Sequence, residues 1–79
     1  MPDQADAADA QGKTRTLWVR HKDGHTMTCV ISGPPGHEEL QVLIDHDVYL
    51  SETHTVHDGA IGRAHALERG FAAHGWTPA

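Results

Sequence analysis

The sequence predicts an α+β fold: a four-stranded antiparallel β-meander with one C-terminal helix packed on one face, ββββα. Three observations carry this. Thr55 to Trp76 has an apolar stripe at helical spacing between start and stop signals. Asp23-Gly24 sits between two β-rich runs, a strong short hairpin signal. Two further short apolar runs follow before the helix, separated by Asp45-His46-Asp47.

The helix is the least ambiguous element. Val56, Ala60, Ala64, Leu67 and Phe71 recur every three or four residues and so line one face. Thr55-Val56-His57-Asp58 reads as a capping box, with the Thr55 hydroxyl and the Asp58 carboxylate exchanging bonds with free amides. At the other end, Gly75 suits the left-handed residue that closes a helix, and Trp76 is expected to fold back onto Phe71.

Thr14 to Lys22 is rich in β-branched and aromatic types and reads as the first strand, with His25 to Ser32 as its return. A two-residue turn would pair Lys22 with His25 and set Trp18 opposite Cys29. Trp18, Met27, Cys29 and Ile31 then share the bulkier face, assigned to the helix. Leu17, Val19, Thr28 and Val30 share the other. Gly33-Pro34-Pro35-Gly36 is a loop, because proline fixes φ and donates no amide. Glu39 to Ile44 is the third strand and Val48 to Thr53 the fourth. Residues 1–13 read as an acidic flexible tail, and 14–79 as a single ββββα domain.

The chain has 79 residues, so its core is small and a partner chain or other stabiliser is a natural supplement. Its net charge of −5 argues against nucleic acid, which favours a basic surface. The single cysteine, Cys29, has no internal disulfide partner and suits a reducing, cytoplasmic setting. Neither a signal-peptide pattern nor a run long enough to span a membrane is present in the sequence.

Trp18, Asp23-Gly24, Cys29, the second turn and a Thr-capped, Ala-rich helix ending in Gly75-Trp76 together resemble a loose group of short bacterial proteins of unknown function. Those proteins combine a β-meander with a C-terminal helix, and the likeness covers about residues 14 to 77. It implies the same fold and no particular activity. A second likeness is to antitoxins of the HicB kind, in which a Thr cap and an Ala-rich helix also follow the last strand. This chain lacks their full three-strand pattern and a separate DNA-binding part.

Eight histidines are the compositional anomaly; protonating all of them would move the charge from −5 to +3. His54 and His57, three positions apart where strand becomes helix, are the first candidates for a transition-metal site. Their spacing does not pair with cysteines as a structural zinc site requires, and solvated histidines in turns and on helix flanks are the preferred explanation of the pattern. A nucleophilic role for Cys29 is disfavoured by its mid-strand position on the core face. No phosphate loop or nucleophile elbow is present. Trp18, Cys29, Phe71 and Trp76 are therefore read as structural, with no catalytic residue and no cofactor.

One helix covers one face of a sheet that is apolar on both. The sequence therefore points to a small non-catalytic interaction module, a homodimer through its open face, with Leu17, Val19 and Val30 at the interface. An unidentified protein partner is the other occupant considered, and no membrane partner is expected. The alternatives carried forward are a histidine-based metal binder and a nucleic-acid-associated or antitoxin-like regulator.

Overall fold

The computed structural model describes residues 14–78, so the segment read as a tail lies outside the described residues. The element order is β1 (Arg15–Lys22), β2 (His25–Ser32), β3 (Glu38–Ile44), β4 (Asp47–His54), α1 (His57–Ala73) and β5 (Thr77–Pro78). The strands form one antiparallel sheet in the order β4-β3-β2-β1-β5. The architecture is the expected α+β ββββα arrangement, with a two-residue fifth strand added at the β1 edge.

Both hairpins turn in two residues. Lys22 pairs with His25 across Asp23 (φ 51) and Gly24 (φ 80), and Trp18 lies opposite Cys29, as the Asp-Gly signal predicts. Ile44 pairs with Asp47 across Asp45 (φ 51) and His46 (φ 76). Two successive positive φ values define the mirror-image turn that matches strand twist, where glycine is the favoured second residue. His46 occupies that place with a Cβ that crowds the backbone. Replacing His46 by glycine is expected to stabilise the monomer by about 0.5–1 kcal/mol. A urea midpoint measured at low protein concentration should rise accordingly.

Two bulges break the strict alternation. On β1, Thr16 pairs with Val30 and Trp18 with Cys29, leaving Leu17 as the extra residue. On β4, Leu50 pairs with Val42 and Val48 with Leu43, leaving Tyr49 as the extra residue. Each bulge adds a side chain to the helix side of the sheet. Leu17 packs against the buried cluster, and Tyr49 meets Phe71 edge-on with centroids 6.0 Å apart. Alternation alone puts Leu17 on the open face; the bulge corrects that placement.

The core lies between sheet and helix. Trp18, Met27, Cys29, Ile31, Leu40 and Val42 are buried from the sheet, and Ala60 and Ala64 from the helix. Small residues let the helix backbone approach the sheet. That approach allows the buried Trp18 indole Nε1 to donate to the Ala64 carbonyl at 2.9 Å. Leu67 and Phe71 continue the stripe, and Trp18 and Phe71 stack obliquely at 6.2 Å. Val56, placed on that stripe by its spacing, is 62% exposed instead. It precedes the first helical turn as the N-cap, where the backbone is still extended (φ −123, ψ 121).

The capping box does not form. The N-cap residue Val56 offers no side-chain bond, and Thr55 stands one residue too early to reach the first-turn amides. Asp58 nevertheless adds a favourable negative charge to the first turn. The C-terminal end follows the expectation. Trp76 N donates to Phe71 O (3.2 Å) and Gly75 N to Ala72 O (3.1 Å), with Gly75 at φ +95. This is the double-bonded αL closure. Two cations from β1 complete it: Lys22 Nζ donates to His74 O and Arg20 to Trp76 O, both at 2.8 Å. The helix has no basic residue in its own last turn, so the strand supplies that charge. Trp76 is half-buried and packs against the core.

Candidate functional site

On the helix side, a polar cluster gathers at the start of α1. Glu38 begins β3 on the core face and is only 5% exposed. A buried carboxylate needs a partner, and His57 Nδ1 lies 2.8 and 2.9 Å from its two oxygens. Next to it, Glu52 accepts a two-pronged bond from Arg63 at 3.0–3.2 Å. It also pairs with His54 Nε2 at 3.0 Å. The bond from the Arg63 guanidinium holds the Glu52 carboxyl below its usual range; burial opposes it, and the His54 bond adds a smaller lowering. These pairs fasten the first half of α1 to β3 and β4, where no side-chain cap does so.

His54 and His57, the first metal candidates, are thus taken up by different carboxylates. Among the described residues, no group of three or more His, Cys, Asp or Glu is placed to hold a metal ion. Cys29 is fully buried, and burial pushes its thiol up to about 11, so it stays protonated and unreactive at neutral pH. Among the described residues, no helix is long and apolar enough to cross a membrane.

The opposite face of the sheet carries the larger feature. Val19, Thr28, Leu43 and Val48 form one row across four strands, and Thr16, Val30, Gln41 and Ser51 form the next. No element of the described chain covers these rows. Val48 is 55% exposed. A recess of about 400 Å³ opens on this face, lined by Thr26, Thr28, Val30, Leu43, Asp45 and His46. Val19 and Val30 stand where the sequence places them; Leu43 and Val48 join them, named there only as strand residues. The signal for them is the register, Leu43 opposite Thr28 and Val48 opposite Leu43.

The turn end of this face is held by a chain of polar contacts. Asp45 accepts from the Thr26 amide at 3.0 Å and bonds to the His25 ring, and the Thr26 hydroxyl meets His21 Nδ1 at 3.2 Å. The bond to Asp45 raises the His25 pKa, and the same bond lowers that of Asp45. Their attraction therefore operates above the lowered carboxyl value and below the raised imidazole value, and fades outside that window. Both groups are exposed, so solvent screens the pair. At the other end, Ser51 donates to Glu39 at 2.8 Å.

Comparison with protein-family models, curated proteins and solved structures finds no match to this chain. The fold is thus α+β with a one-sided helix, and its functional reading rests on these surfaces alone.

Proposed function

We propose that the protein is a small non-catalytic interaction module that self-associates through the open face of its sheet. The observation that supports this is the uncovered Val19-Thr28-Leu43-Val48 row with the recess beside it. A second copy removes that apolar surface from water, the dominant gain in association. Strands of seven and eight residues, four abreast, give a face of roughly 25 by 19 Å, or about 500 Å² per copy before side-chain relief. A pair of such faces buries about 1,000 Å², the size of a weak, reversible interface.

The free β4 edge is the weaker route to assembly. It carries a bulge at Tyr49 and charges at Asp47 and Glu52, the devices that discourage edge pairing.

Light scattering tests the reading. At concentrations well above micromolar the wild type is expected at twice the 8.6 kDa of one chain. Val30→Asp would place a charge in a dry contact and is expected to give a single-chain mass. Its circular dichroism should stay native-like, because Val30 lies outside the buried core. A wild type that remains at 8.6 kDa contradicts the reading.

A further inference from the structure

We infer that the two copies pack with their strands running in opposite directions, so that Glu39 of each lies over His46 of the other. This rests on the self-association reading and adds its geometry.

The open face is electrically uneven along the strands. Its turn end carries His21 and His46, with Asp45 already occupied by His25 and the Thr26 amide. Its other end carries Glu39, exposed and steered by Ser51. Two copies placed face to face have two simple two-fold choices. An axis along the strands sets like end on like end, carboxylate over carboxylate. An axis in the face but across the strands keeps β3 over β3 and reverses its ends. The second choice brings the Glu39 end of β3 over the β3–β4 turn of the partner copy, where His46 stands. The second arrangement sets an imidazole N–H donor over the Glu39 carboxylate where the first stacks like on like, so the second is favoured.

The backbone at His46 is an independent pointer. Its φ of 76 belongs to a turn position where glycine is the less strained residue. Strained positions of this kind concentrate where a side chain is needed for function. Among the described hydrogen bonds and ion pairs within the chain, none involves the His46 side chain. A contact in the second copy gives it a role.

A charge exchange tests the geometry. Glu39→Lys and His46→Asp are each expected to weaken self-association about tenfold in sedimentation equilibrium, by removing the attraction and opposing like charges. Aspartate tolerates the left-handed backbone, and both sites are exposed, so the fold should survive. The combined variant sets opposite charges face to face across the interface and is expected to return to within about threefold of wild type. His46→Asn, suited to the same backbone, should weaken association while leaving the melting temperature unchanged or higher. If the wild type dimerises but the combined variant is no tighter than either single one, the antiparallel arrangement is wrong while the open-face reading stands. If the wild type does not dimerise at all, the open-face reading fails and this inference falls with it.

Discussion

Trp18→Ala should leave a chain that no longer melts cooperatively at physiological temperature. Trp18 is 8% exposed, donates its indole N–H to the Ala64 carbonyl and packs against Phe71. Removing such a side chain costs about 3–5 kcal/mol, from lost burial and the cavity left behind. A domain this small has a total stability near the low end of the usual range of about 5–15 kcal/mol, so the loss takes most of it. Trp18→Phe keeps much of the ring packing and should lose far less. Thermal melts followed by circular dichroism check both. A Trp18→Ala melting temperature within a few degrees of wild type would mean that the sheet and helix are held together elsewhere.

His57→Ala should be the next most damaging substitution, for an electrostatic reason. It strands the Glu38 carboxylate, 5% exposed, without the imidazole that both of its oxygens face. An unpaired buried polar group costs about 1–3 kcal/mol, and more when it is charged. His57 is itself half-exposed, so some water reaches the site and the loss should stay near the middle of that range, about 2 kcal/mol. The test is a double-mutant cycle by urea denaturation. Adding Glu38→Leu to His57→Ala removes the stranded charge and should recover at least half of the loss. If the double variant is less stable than His57→Ala alone, the cost does not come from the buried carboxylate.

The parts of the fold legible in the sequence are those set by local chemistry. Asp23-Gly24 specifies its turn, and that turn fixes Lys22 opposite His25 and Trp18 opposite Cys29. Gly75 specifies the helix stop. Ala60, Ala64, Leu67 and Phe71 specify the helix face. The parts missed depend on contacts between distant segments. The bulges at Leu17 and Tyr49 arise from fitting two strands to one helix, and alternation carries no sign of them. β5 forms because β1 has a free edge beside the chain leaving Trp76, a pairing that no local signal announces. The Thr55 cap fails by a single residue of helix start.

Glu38 is the instructive omission among the candidate site residues. A third strand that starts at Glu39 leaves it out, although Glu38, Leu40, Val42 and Ile44 share one period-two face. A carboxylate on the core face of a strand needs a partner, and a histidine at the start of the following helix was available. His54 and His57 were conspicuous by spacing, but spacing does not reveal that each has its own acid. The open face was legible as apolar. Its row of Val19, Thr28, Leu43 and Val48 required the full register.

Self-association through the open face is tested most directly by a dilution series of amide NMR spectra on the wild-type chain, from millimolar to low micromolar. An open-face dimer should give concentration-dependent shifts at Val19, Thr28, Val30, Leu43 and Val48, with the helix flank around Arg63, Leu67 and Phe71 unmoved. Shifts confined to that flank, where a second recess of about 300 Å³ lies, or the absence of any shift across the series, would contradict it.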